Sequence, residues 1–177
     1  MASEFLKAYK NTYDHAVGNI SSWNVRTLAD GAIVDLADID NFTLVELGFN
    51  GEGERICKQL SDVKKKGYLI AAPERRYTNA EPMVNFYNAV GERARIIFLD
   101  EGFHFESSAY SLNTGVTEIK NGYVAHFDPA TKKFIISNPA SAHTDYATAV
   151  DKFLVVSSES DLEYLCGKPV VKFEKMA

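Results

Sequence analysis

Apolar and polar positions alternate over most of this chain, the period of a strand rather than a helix. The pattern starts after Val25. GAIVDL, from Gly31 to Leu36, puts Ile33 and Asp35 on one face and Val34 and Leu36 on the other. FTLVELGF, from Phe42 to Phe49, alternates Phe42, Leu44 and Glu46 with Thr43, Val45 and Leu47. GYLIAA after Gly67, RARIIFL after Arg93, FHFESS after Phe103, FIIS after Phe134, FLVV after Phe153 and VVKF after Val170 read as further strands. Turn formers separate them: Asp38 to Asn41, Asn50-Gly51, Asp100 to Gly102, Asn121-Gly122 and Asp128-Pro129. Phe103 to Ser108 is predicted to form a hairpin with the strand before it. Val116 to Ile119 and Tyr123 to Phe127 are predicted to form another around Asn121-Gly122. Glu52 to Lys66 admits a strand pair or a short helix.

Helical periodicity occurs in two places. Asn79 to Val90 has a capping Asn79, Glu81 near the positive end and Pro82 in the first turn. Met83, Phe86 and Val90 share a face, and Gly91 follows as a stop. At the start, Phe5, Tyr9 and Tyr13 recur at helical spacing beside Leu6, which predicts an amphipathic helix or an arm ordered against something else. Short turns of helix are expected at Asp145 to Val150 and Asp161 to Leu165. A run of strands with one clear helix inserted predicts a mainly β fold of antiparallel hairpins, sandwich or barrel-like, with one or two short helices. An α+β class is the neighbouring possibility. No internal repeat and no linker divides the chain. The expected organisation is an arm or short helix over 1–23 and one β-rich domain over 24–177.

Composition narrows the function classes. At 177 residues, 46% hydrophobic and 24% charged, the chain is long enough for its own core. A net charge of −5 argues against general nucleic-acid binding. No apolar run is long enough for a membrane helix, and the N-terminus lacks a signal-peptide core. Cys57 and Cys166 form no metal or redox spacing. The mean charge conceals an asymmetry. Asp30 to Glu54 carries seven acidic residues and no Lys or Arg. Arg55 to Arg76 carries seven basic residues against Asp62 and Glu74. Such blocks pair within a monomer, sit as solvated faces, or steer association between molecules.

Candidate chemistry is sparse. His15, His104, His126 and His143 show no paired metal-ligand spacing. His104 and Glu106 share a strand face, and a neighbouring hairpin carrying His126 would complete a three-ligand site; exposed polar strand faces are the plainer reading. Ser107 and Ser108 lack a nucleophile elbow. Cys57 has Arg55 and Lys58 nearby to lower its pKa but no partnering histidine signature, so a structural or incidental thiol is the expected reading. Gly51 to Arg55 is glycine-rich yet acidic, unlike a phosphate loop. Asp100 and Glu101 read as a solvated turn. No catalytic residue, cofactor or metal is assigned, and the expectation is a non-enzymatic protein. The candidate partner-binding residues are the arm aromatics Phe5, Tyr9 and Tyr13, the lone Trp23, and the Arg75-Arg76-Tyr77 cluster, since tyrosine, tryptophan and arginine are favoured in binding hot spots. Trp23 admits two readings, a core anchor, which composition favours, and a partner-facing aromatic.

The runs NVRTLADGAIVDLADIDNFTLVEL (24–47), GERARIIFLDEGFHFESSAYSL (91–112) and GYVAHFDPATKKFIIS (122–137) resemble capsid decoration proteins, the cement or head-stabilising proteins of tailed bacteriophages. The resemblance lies in style, a polar arm followed by short hairpins, and carries over no individual residue. It implies a structural virion protein that binds the outer capsid surface and bridges neighbouring major capsid protein subunits, often as a trimer, after assembly in the host cytoplasm. Another phage structural part, from the tail or the head–tail connector, is the nearest alternative. A carbohydrate-binding module or a metal-dependent enzyme lies further off.

Overall fold

The computed structural model describes residues 15–72 and 86–177. The strands are β1 (Gly18–Ile20), β2 (Ala32–Val34), β3 (Ile39–Asp40), β4 (Thr43–Phe49), β5 (Arg55–Gln59), β6 (Tyr68–Ile70), β7 (Tyr87–Asn88) and β8 (Arg93–Ala94). They continue with β9 (Ile96–Ile97), β10 (His104–Ser107), β11 (Tyr110–Leu112), β12 (Val124–Asp128), β13 (Lys133–Ser137), β14 (Lys152–Val155), β15 (Glu163–Leu165) and β16 (Lys168–Lys175). Helix among the described residues is confined to single 3-10 turns at Pro139–Ser141, Thr144–Ala147 and Glu159–Asp161. The fold is mainly β and barrel-like.

The strands close two small barrels in succession. In the first, β2 pairs with β5 in parallel, β5 with β4, β4 with β6, and β6 with β9, all antiparallel after the first. Only Arg95 separates β9 from β8, and β8 pairs back with β2. In the second, β11 pairs with β13 in parallel, then β13 with β12, β12 with β14, and β14 with β16, all antiparallel. Then β16 pairs with β10, and only Ser108 and Ala109 separate β10 from β11. Counted in chain order, both rings run first, third, second, fourth, fifth and back to first. The first and third strands are parallel in each. Sequence reading found no repeat here; the repetition lies in strand order, which residue identity does not display.

Each barrel fills its interior through the period-2 alternation of its strands. The first encloses small and medium side chains: Ala32, Val34, Val45, Cys57, Ile70, Ala94 and Ile96. The second encloses Phe105, Phe127, Phe134, Phe153 and Phe173, with ring centroids 4.8–6.3 Å apart across neighbouring pairs. Leu44, Leu69 and Ile97 point out of the first barrel and join the apolar cluster of the second, so the two share one continuous core. Polar contacts also clasp them. The Gly67 N–H donates to Asp151 Oδ2 at 2.5 Å, and Val150 N–H donates to the Val63 carbonyl at 2.9 Å.

Several expected elements take other partners. The tail of the predicted helix, Tyr87–Asn88, is a strand against β3, so the Asp38 to Asn41 turn cluster contains a strand as well. Residues 79–85 of that helix lie outside the described residues. The Phe103 to Ser108 strand forms no hairpin with its predecessor; β10 lies between β1 and β16. Val116 to Ile119 is not a strand, and β12 pairs with β13 and β14 instead. Within the expected arm, residues 15–20 are built into the body. Val17 is buried and its backbone N–H donates to Ser108 Oγ at 2.9 Å. Gly18 is required there, because a Cβ would collide with the Glu106 carbonyl and the Phe42 ring.

Candidate functional site

Two places stand out from this scaffold. The first is a surface. Trp23 follows β1 and is wholly exposed, at 105% of the reference area, which overturns the reading of it as a core anchor. The physical reason is local: β1 ends at Ile20, and Ser21 and Ser22 are tied down instead. Ser21 N–H donates to the His104 carbonyl at 3.2 Å, and Ser22 Oγ accepts from His104 N–H at 2.6 Å. The indole borders a shallow groove of about 390 Å³ lined also by Asn24, Asp100, Glu101, Gly102 and Phe103. Leaving an indole in water forfeits the burial energy of a large aromatic, and such residues commonly anchor interfaces. The other candidate partner-binding residues, Phe5, Tyr9, Tyr13, Arg75, Arg76 and Tyr77, lie outside the described residues.

The second place is buried. His126 is central on β12 and faces outward from the second barrel, opposite in direction to Ala125 and Phe127. The exposed polar face expected there is covered by the 3-10 turn Thr144–Ala147, and His126 is fully buried. The His143 ring stacks on it at 5.1 Å and 28°, and Tyr146 meets it edge-on at 6.2 Å. Neither ring nitrogen of His126 has a hydrogen-bond partner. Burial, and then the adjacent His143, push its pKa down to about 4, so the ring is neutral at physiological pH. His143 caps the turn, its Nδ1 accepting from Asp145 N–H at 3.3 Å. Potential ligand atoms of His126, His143 and Asp145 all lie within 4.8 Å of one another.

The grouping of His104, Glu106 and His126 does not form. His104 Nε2 lies 3.2 Å from Glu174 on the adjacent strand. Glu106 is buried and accepts from Ser21 Oγ at 3.0 Å, with Lys172 Nζ at 3.2 Å. Cys57 is a buried structural thiol, the reading the sequence favoured, and the lowering that Arg55 and Lys58 suggested does not arise. Its thiol faces the interior of the first barrel, and burial, with Asp35 adding, pushes its pKa up to about 11. Lys58, the next residue, points to the opposite face and pairs with Glu46, and Arg55 at the start of the strand is drawn over the Phe49 ring at 4.2 Å. The opposed charge blocks meet within the chain at Glu46. It sits 3.3 Å from Lys58 and 3.0 Å from Lys65, and accepts from Ser61 Oγ at 2.8 Å. Burial raises the Glu46 pKa, but these donors outweigh it and hold the carboxyl at about 2.

Sequence reading missed His143 and Asp145 as companions of His126. Their separation matches no ligand spacing, and only the fold of the connection after β13 brings them over β12. None of the described helices is long and apolar enough to cross a membrane.

A family model described as YonC prophage protein matches residues 11–176. The chain is 53% identical over 175 residues to the SPbeta prophage-derived uncharacterized protein YonC of Bacillus subtilis (strain 168), covering 98% of each. No solved structure gives a match.

Proposed function

The chain belongs to the YonC prophage protein family, and from that footing we propose that it is a non-enzymatic structural protein of the virion. In this reading it binds the outer capsid surface and bridges neighbouring major capsid protein subunits, which stabilises the head. The carrying observation is Trp23, held fully in water on a fixed backbone between the start of the body and the loop joining the two barrels. A large aromatic placed this way suits a contact that a second protein completes. The family supports the phage setting. The partner and the position on the particle are the proposal's own content, as is assembly as a homo-oligomer on the shell.

The test uses shells assembled from the major capsid protein encoded in the same prophage. Purified protein is expected to co-sediment with them and to raise their heat resistance. Trp23→Ala is expected to weaken binding at least tenfold while its thermal unfolding stays within a degree or two of the parent. Failure of the parent protein to bind, or shells equally heat-resistant without it, overturns the reading. Binding to tails or connectors rather than shells overturns it in favour of the other structural class.

A further inference from the structure

The two barrels supply an internal control for the buried histidine. Register places Val45 opposite Gln59 and Tyr68, and Ala125 opposite Ile136 and Phe153. Their next residues, Glu46 and His126, therefore occupy one position in the repeated topology: the outward face of the second strand, buried beneath the connection from third to fourth strand. In the first barrel that connection satisfies the polar group. Ser61 and Lys65 both reach Glu46, and Lys58 joins from the neighbouring strand. In the second barrel the covering turn brings His143 and Asp145 instead, and both nitrogens of His126 stay unpartnered. A buried donor or acceptor left without a partner is destabilising, so an occupant that uses it is favoured.

We propose that His126, His143 and Asp145 form a binding site for a divalent transition metal of the zinc class. Two imidazoles and one carboxylate are the donor set such ions take, with a water in the fourth position. The unpartnered ring nitrogens of His126 offer such an ion a donor that no protein group uses. Metal–ligand bonds of about 2.0–2.2 Å require the three donors to draw closer than 4.8 Å. His126 is fixed on its strand, whereas His143 and Asp145 sit half-exposed on a single 3-10 turn and supply the movement by side-chain rotation. Tyr146 and its hydrogen bond to Met176 Sδ at 3.7 Å hold that turn down. Lys152, opposite His126 on β14, is engaged with the Tyr146 ring and the Ala147 carbonyl.

The experiment titrates Zn²⁺ into untagged, chelator-stripped protein and follows heat release and thermal unfolding; Co²⁺ then reports geometry by its visible absorption. The parent protein is expected to bind one equivalent, to unfold several degrees higher with Zn²⁺, and to give the intense bands of four-coordinate cobalt. His143→Ala and Asp145→Asn, both on the exposed turn, are expected to fold normally and to lose at least tenfold in affinity. His126→Gln is expected to abolish binding, and if it does not fold, the two turn variants decide. His104→Ala, which removes a histidine–carboxylate pair on another part of the surface, is expected to bind like the parent. No binding by the parent, undiminished binding by the turn variants, or loss of binding in His104→Ala each overturns the site.

Discussion

The two barrels share one strand order and differ in almost everything placed upon it. The first is closed around alanine, valine, isoleucine and a cysteine; the second is closed around five phenylalanines. The position that carries Cys57 in one carries Phe134 in the other, since Leu47 faces Cys57 as Phe127 faces Phe134. Both rings also need one break to close, and they place it differently. The first breaks its fifth strand at Arg95, and the second breaks its first strand at Ser108 and Ala109. The contrast teaches that ring order is a matter of backbone pairing, which many interiors satisfy. Stability and chemistry are then set separately in each barrel by what the alternation turns inward and outward.

The largest effect comes from emptying the equivalent interior positions. Phe134→Ala removes a fully buried ring that touches Phe105, Phe127, Phe153 and Phe173, and should cost about 3–5 kcal/mol in denaturant unfolding. Cys57→Ala removes a single heavy atom at the matching place and should cost about 1 kcal/mol. The shared core through Leu44, Leu69 and Ile97 predicts that both variants still unfold in one transition. Two separated transitions in Phe134→Ala would break the picture of coupled barrels.

How much of this was legible in the sequence follows the same division. Alternation in FTLVELGF, FIIS and FLVV identified β4, β13 and β14 because their inner faces are uninterrupted. The turn at Asn50-Gly51 was legible because an asparagine side chain bonds the backbone just beyond it, as Asn50 does here. Ring order was not, because strand partners are remote: β10 pairs with β16, and nothing within FHFESS specifies a partner near the C-terminus. Tyr87–Asn88 misled because its residues fit a helical face, while a two-residue pairing with Ile39–Asp40 wins through tertiary contact. His126 was read as exposed because strand periodicity reports which face a residue takes, not what lies over that face. For Trp23, average burial of tryptophan pointed the wrong way, since the Ser21 backbone and the Ser22 hydroxyl anchor the chain to His104 and leave the next residue in water.

The second prediction uses the paired outward positions, and acid separates them. His126 has an ordinary pKa of 6.5 and one of about 4 in the folded protein. Below pH 6.5 the unfolded chain takes up a proton that the folded one refuses, so stability falls from pH 6.5 down to about 4. A difference of this size corresponds to about 3 kcal/mol. Glu46 falls from 4.5 to about 2, so its contribution is intact above pH 4.5 and is lost as the pH drops toward 2. Unfolding measured across pH with a chelator present should therefore show two successive losses, the histidine's first. His126→Leu should flatten the upper one alone and Glu46→Gln the lower one alone. A His126→Leu variant that keeps the upper slope would show that the second barrel does not exclude the charged imidazole.

The smallest effect lies in the hairpins joining second and third strands. Each starts from a residue whose side chain accepts backbone N–H groups beyond it. Asn50 Oδ1 accepts from Glu52 and Glu54, and the Asp128 carboxylate accepts from Ala130 and Thr131. Each then needs a left-handed residue before the third strand. The first uses Gly53 at φ +82°, and the second uses Lys132 at φ +58°. A side chain pays about 1–2 kcal/mol for that conformation, and glycine returns roughly 0.5–1 kcal/mol of it as lost freedom on folding. Lys132→Gly should therefore stabilise the protein by about 0.5 kcal/mol, because its N–H keeps the 2.8 Å bond to the Asp128 carbonyl. Gly53→Lys should destabilise it by about 1 kcal/mol, since φ +82° lies further from the well that L residues tolerate. Denaturant midpoints of the two single variants check both signs. If both substitutions destabilise equally, side-chain contacts rather than backbone conformation decide residue choice in these turns, and the likeness between the barrels stops at their strands.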